Sequence, residues 1–322
     1  MFSRLICALV ASVAVLLPSA GLAQAYPNKP IRLIVPFAPG GTNDVVGRIV
    51  AQHLGETWGQ PVVPDNRPGF QGIIGTNLAA NAEPDGYTLV MISSAYTMNP
   101  VTFKVPYDTL TALEFIAKIG ESFLILSVGP KMPEVHSAKD LLAIAQRRPG
   151  EIVLTSSGGF QNFATQLFQS VTKRKYNIVL YKGGYPAMID VIGGQAEANL
   201  AVSVPALPFL RSGQLKGLAV ALPQRSTLLP NLPTMDEAGI KGYDAGNWYA
   251  IAAPAGTPRA IVMKLHNEIA KFFRSPEMQK KFTAMGAALN IKTPDEMRKI
   301  IPAEIAKWTK VAVDARMPRD VK

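Results

Sequence analysis

The segment Val35-Pro36-Phe37-Ala38-Pro39-Gly40-Gly41-Thr42-Asn43-Asp44 joins a short apolar run to a helix-spaced one, and this junction restricts the fold more than any other stretch. Ile31, Leu33, Ile34 and Val35 read as a buried strand, while Val45, Val46, Ile49, Val50 and Leu54 recur at helical spacing. The residues between therefore make a strand-to-helix turn. Gly40 and Gly41 open backbone conformations closed to other residues and let a ligand approach the main chain, and Thr42 or Asn43 is placed to cap the helix. The first-turn N–H groups of that helix lack internal partners and sit at the positive end of its dipole, which suits an anion such as a carboxylate. Two glycines before a helix also serve a turn alone. The stretch is neither a Walker loop nor G-x-G-x-x-G, so it gives nucleotide binding little support. Asp44 already complements the dipole, so an incoming anion requires Asp44 to point away.

The same alternation continues. Apolar strands are expected at residues 62–63, 87–92, 123–128, 152–154, 178–181, 196–202, 218–221 and 246–252, mostly separated by helical patterns. This predicts an α/β fold with mostly parallel sheets flanked by helices, whose ligands bind beyond the carboxyl ends of the strands. Ser93, Ser94 and Tyr96 fall at one such end, where hydroxyls serve as ligand contacts or as caps. A strand, a glycine turn with hydroxyls and a helix start recur at Thr155-Ser156-Ser157-Gly158-Gly159-Phe160, and Lys182-Gly183-Gly184 precedes a further helix with Pro186 in its first turn. Two sockets of this kind facing each other would grip both ends of a small diacid. The domain reading is residues 26–126 plus 249–322 for one domain and 127–248 for the other, joined by two crossing strands, with a ligand cleft between them. Three closing helices start near Thr257-Pro258, Ser275-Pro276 and Thr293-Pro294, the last with a capping box to Glu296.

Of 322 residues, 48% are hydrophobic and 17% charged, which suits two globular domains and not a disordered chain. Residues 1–25 read as a cleavable secretory signal: Arg4, an apolar core, then Ala23-Gln24-Ala25 before Tyr26, with Ala23 as an alternative cleavage point. The one cysteine, Cys7, lies inside that signal, so the mature chain has no thiol chemistry, disulfide or cysteine-held metal. Without the signal, 32 Lys+Arg stand against 23 Asp+Glu, a formal charge of +9. The cations form no long tract, which fits acidic solutes or plain solubility better than nucleic acid. His53, His136 and His266 are scattered without metal-ligand spacing, and no G-x-S-x-G is present, so no metal, cofactor or catalytic set is expected. An exported serine hydrolase using Ser156 or Ser157 stands as the alternative to a binding protein.

Several motifs in order resemble one family: residues 26–41 (Tyr-Pro-Asn-Lys-Pro to Pro-Gly-Gly), Gly59-Gln60-Pro61-Val62-Val63, Asn66-Arg67-Pro68-Gly69, Pro84-Asp85-Gly86-Tyr87, Tyr181-Lys182-Gly183, Leu232-Pro233-Thr234 and Ala253-Pro254-Ala255-Gly256. The chain is similar across its mature length to periplasmic solute receptors of tripartite tricarboxylate transporters, the Bug or TctC-like family. The resemblance implies a periplasmic, two-domain binding protein of the type II kind, expected to be monomeric, that closes on a carboxylate and delivers it to membrane transporter subunits. A solute-sensing role with another membrane partner is the second reading. It further implies cleft loops at Phe37, Ala38, Gly40, Gly41 and Thr42, at Ser93 and Ser94, at Ser156, Ser157, Gly158 and Phe160, and at Lys182 and Gly183. Departures from the family pattern are Phe160 in a shortened loop, Asn162 in place of a common histidine, and Ala201 and Val202 where many relatives carry Asp and Asn. The last pair argues against an amino-group ligand. Phe37, Tyr96, Phe160 and Trp248 serve either as apolar walls, which points to a flat or hydrophobic acid of terephthalate type, or as core.

Overall fold

The computed structural model describes residues 26–157, 159–181 and 183–318. The expected signal peptide, Gly158 and Lys182 lie outside the described residues. The chain runs β1 (Ile31–Val35), α1 (Thr42–Trp58), β2 (Val62–Asn66), a 3-10 turn (Phe70–Gly72), α2 (Ile73–Ala80), β3 (Thr88–Ser93), α3 (Ala95–Thr102) and β4 (Leu113–Val128). It continues α4 (Ala138–Arg147), β5 (Val153–Ser157), α5 (Phe160–Thr172), β6 (Asn177–Tyr181), α6 (Gly184–Ile192), β7 (Ala198–Val202), α7 (Ser203–Arg211) and β8 (Lys216–Val220). Last come β9 (Gly246–Pro254), α8 (Arg259–Phe273), α9 (Pro276–Ala284), β10 (Ala287–Lys292) and α10 (Pro294–Asp314).

Strand β4 organises the sheets. Its first part, through Phe123, pairs with β9 and β10, and the order outward from β9 is β3, β1, β2. From Leu124 it pairs with β7 and β8, and β5 and β6 follow outward from β7. One 16-residue strand thus belongs to two sheets, and the change of partners falls at Phe123 and Leu124. The parallel pairing expected from strand–helix alternation holds for β1 with β2 and β3, and for β5 with β6 and β7. The strands beside and along the crossing are antiparallel, because β4 carries the chain out of the first sheet and β9 carries it back in the opposite direction.

Period two in β1 explains how the first sheet is covered. Leu33 and Val35 join a core with Val46, Val50 and Leu54 of α1 and Val262, Leu265, Ile269 and Phe273 of α8, while Ile34 faces the opposite core with Val90, Ile92 and Met297. The second sheet is covered likewise on both faces. One of its cores is not confined to it. Met98 and Val101 of α3, and Trp308, Val311 and Ala312 of α10, are buried in the same cluster as Phe163, Phe168 and Leu200. Helix α10 therefore straddles the two sheets, with Trp308 meeting Phe163 edge-on at 5.7 Å between ring centroids. Thr293 with Glu296 forms the expected capping box, Ser137 with Asp140 forms another at the start of α4, and Ser275 caps α9.

Candidate functional site

The turn after β1 positions α1. Gly40 has φ 84°, a left-handed backbone that glycine adopts without strain, whereas Gly41 is extended at φ −76° and serves as the N-cap. No side chain caps α1: Thr42 and Asn43 are already helical, so neither takes the capping role expected from their type. Asp44 turns back instead. Its Oδ2 accepts from the Gly40 N–H at 2.9 Å and from Arg48 Nε at 2.9 Å, and its Oδ1 accepts from Asn66 Nδ2 at 2.8 Å. The acid that would oppose an anion is thus committed to bracing the loop.

Burial of Asp44 works against its charge, but the bonds from Arg48, Gly40 and Asn66 prevail and hold its carboxyl at about 2. Its pKa is lower in the folded than in the unfolded chain. The stabilisation is therefore full above the ordinary carboxylate range and is lost as pH falls toward about 2. Asp44→Asn is expected to destabilise by about 1–2 kcal/mol at pH 7, discounted for the exposed Arg48, with the gap to wild type closing below about pH 3. Urea unfolding at both pH values checks this.

Five helix and strand ends meet at one cavity of about 240 Å³. The first sheet contributes Thr42 and Asn43 from the start of α1, and Asn247 and Tyr249 from the amino end of β9. The second contributes Gly184 and Tyr185 from the start of α6, Met188 one turn on, Ala201 and Val202 at the end of β7, and Pro205 in the first turn of α7. Two helix N-termini, those of α1 and α6, therefore open on the same cleft from opposite sheets.

A polar network floors the first-sheet side. Ser94 Oγ donates to Asn247 Oδ1 at 2.6 Å, and Asn247 Nδ2 donates to the Tyr249 hydroxyl at 3.1 Å. That hydroxyl also lies 2.7 Å from Ser122 Oγ, with Thr42 lining the cavity beside it. Tyr249 is fully buried, and burial raises its pKa against the lowering effect of its partners, so it stays a neutral phenol. On the second-sheet side, Ser157 Oγ donates to Gln161 Oε1 at 2.6 Å and Gln161 Nε2 donates to the Leu200 carbonyl at 2.8 Å. A Cβ on Gly184 would meet Gln161 Oε1 at 3.1 Å, so this pair backs the start of α6 closely.

Of the residues singled out from sequence, Thr42 lines the cavity, Gly41 and Gly183 are the N-caps of the two helices whose first turns line it, and Ser94 bonds the lining Asn247. Ala38 and Gly40 lie on the exposed part of the loop. Phe37 is half-buried, its ring beside Gly72 and its carbonyl bonded by Asn66. Ser93 is buried in β3, paired with Tyr249 of β9. The proposed aromatic walls are corrected. Tyr96 lies in the first-sheet core, its hydroxyl bonded to the Thr109 carbonyl and its ring stacked on Tyr107; Trp248 is buried in the same core; Phe160 is buried beside Met98 and Phe163. Each follows its strand or helix period to the covered face. Ser156 is fully buried, accepting from Thr165 Oγ1 at 3.1 Å and donating to the Ser157 carbonyl, and Ser157, the other serine of the hydrolase alternative, is buried with its Oγ given to Gln161. The histidines serve elsewhere: His53 bonds Glu268 and stacks on Phe272, and His266 bonds the Ile116 carbonyl. Among the described residues no group of three or more His, Cys, Asp or Glu could hold a metal ion, and no helix is long and apolar enough to cross a membrane.

Comparison with known proteins bears on this architecture directly. The family model described as the tripartite tricarboxylate transporter family receptor, TctC, matches residues 46–316. The chain belongs to this receptor family. The receptor is 37% identical to protein BugT of Bordetella pertussis over 313 residues, 94% of this chain and 96% of the relative. Among solved structures it is similar to R. palustris Rpa4515 with adipate, at TM-score 0.81 and 34% identity over 90% of this chain and 98% of that one. It is likewise similar to the periplasmic binding protein BugD, at TM-score 0.78 and 29% identity over 92% and 100% of the two chains. MatC from Rhodopseudomonas palustris, solved with bound malate, gives TM-score 0.76 and 26% identity over 89% and 99%. The receptor is thus a solute-binding protein of a periplasmic family and not an enzyme, on the mixed α/β fold of those binding proteins.

Proposed function

We propose that the receptor captures a small organic carboxylate between its two sheets by cleft closure and delivers it to the membrane subunits of a tripartite tricarboxylate-type transporter. The reading rests chiefly on the two helix starts, α1 and α6, lining one cavity. Their unpaired first-turn amides favour negative charge from two directions, and a ligand bridging them lowers the energy of the closed arrangement relative to the open one. Thr42 and the Tyr249–Asn247 pair add neutral hydrogen-bonding groups beside the α1 amides. The relatives from R. palustris hold adipate and malate, acids of the same chemical kind. In this reading residues 26–126 plus 249–322 and residues 127–248 are the two closing domains, and the receptor works as a monomer after export to the periplasm.

Micromolar affinity corresponds to about −8 kcal/mol, within reach of several charge-assisted hydrogen bonds and some apolar burial. A thermal-shift panel of C3 to C8 mono- and dicarboxylates tests the proposal. At a hundredfold excess over Kd, a true ligand adds about 2.7 kcal/mol of stability, a rise in Tm of roughly 5 °C or more. Absence of a shift across the panel, with a shift from an amine or neutral sugar, would overturn it.

A further inference from the structure

The two sides of the cleft differ in kind. Thr42, Asn43, Asn247 and Tyr249 bring a hydroxyl, two amides and a phenol from the first sheet, and the buried Oδ1 of Asn43 has no hydrogen-bond partner. Facing them, the side chains of Met188, Ala201, Val202 and Pro205 carry no hydrogen-bonding group at all. On that side the polar groups are the main chain at the start of α6, where Pro186 lacks an N–H, and the hydroxyl of the exposed Tyr185. The cavity, about 240 Å³, is also small beside ordinary ligand pockets of roughly 300–1,000 Å³.

We propose that the receptor selects small acids with an unsubstituted hydrocarbon body over hydroxylated acids of the same length. This deepens the carboxylate reading and rests on it. The ionised head sits on the α1 amides, Thr42 and the Tyr249–Asn247 pair, and the body lies against Met188, Ala201 and Val202. A hydroxyl on the part of that body lying against Met188, Ala201 and Val202 leaves water on closure and meets side chains that offer it no partner. A second carboxylate, if present, must reach the Gly184 and Tyr185 amides at the far end. An apolar wall rejects an added hydroxyl only moderately, so the expected preference is about tenfold to a hundredfold. Val202, half-buried at the end of β7, lines the cavity while also packing on the second-sheet core, and is a position at which a hydroxyl can be added with little change of volume.

Isothermal titration with succinate, malate and tartrate, matched in length and differing only in hydroxyl count, tests the inference on the purified receptor, with adipate run alongside. Affinity is expected to fall about tenfold or more from succinate to malate and again to tartrate. The near-isosteric Val202→Thr variant, which supplies a hydroxyl on the wall, is expected to narrow the succinate-to-malate ratio severalfold. Malate or tartrate binding as tightly as succinate overturns the inference while leaving the carboxylate reading standing. An unchanged ratio in Val202→Thr removes Val202 from the selecting wall. Heat from none of the four acids, together with no shift across the C3 to C8 panel, overturns the carboxylate reading itself.

Discussion

The Gly41→Asp receptor is expected to melt at or slightly above the wild-type temperature and to lose its carboxylate affinity by a hundredfold or more. Position 41 accepts a side chain: its φ is −76°, and the nearest atom to a built Cβ is the Ala38 carbonyl oxygen at 3.7 Å. It is also the N-cap of a helix that has no side-chain cap. Aspartate there bonds a first-turn N–H and improves on glycine by a few tenths of a kcal/mol. The same carboxylate occupies the amides proposed for the ligand. It also sets a like charge about 4–5 Å from the ligand's own, worth about 3–4 kcal/mol at an effective dielectric of 20. Gly41→Ala, equally tolerated but uncharged, is expected to bind within a few-fold of wild type. Calorimetry on both variants separates the charge effect from any packing effect, and retained affinity in a folded Gly41→Asp protein contradicts the assignment of α1.

The largest stability effect is expected at Trp308. This fully buried ring packs on Phe163, and its Nε1 donates to Glu304 Oε2 at 2.9 Å, in a core shared by α3, α5 and α10. Truncation to alanine is expected to cost about 3–5 kcal/mol, which corresponds to a fall in Tm on the order of 10 °C. Because the cluster joins elements of both sheets, the loss is expected across the whole chain in one cooperative transition. A cost below about 1 kcal/mol in urea unfolding would show that α10 does not tie the sheets together.

Much of this fold was legible because its elements are strongly patterned. The amphipathic α1 and α8, the capping box at Thr293, and the apolar runs of β1, β3 and β5 each satisfy one spacing rule. Strand β4 was legible only over residues 123–128. Its earlier half contains Lys118, Gly120, Glu121 and Ser122, polar residues that break the apolar pattern, yet Lys118 is buried by pairing with Glu121 at 2.7 Å. Strand β10 was missed for a similar reason, being short and only partly buried.

The site divided the same way. The glycine junction pointed to α1, and Lys182-Gly183 fell one residue short of the lining at Gly184 and Tyr185. Asn247 and Tyr249 were missed because the expectation placed ligands beyond the carboxyl ends of parallel strands. Strand β9 runs antiparallel to β3, so it is its amino end that reaches the cleft. The aromatic residues misled for the opposite reason: size and type cannot tell a cleft wall from a core, and Tyr96, Phe160 and Trp248 all face inward.

A crystal structure of the receptor with the tightest-binding acid from the titration series tests the central claim most directly. The expected result is a carboxylate within about 3 Å of the Thr42 or Asn43 main-chain nitrogen, with the ligand's other end against Gly184, Tyr185 and Val202. A ligand bound outside this cavity, or one whose charge is met by side chains with the α1 amides left to water, would contradict it.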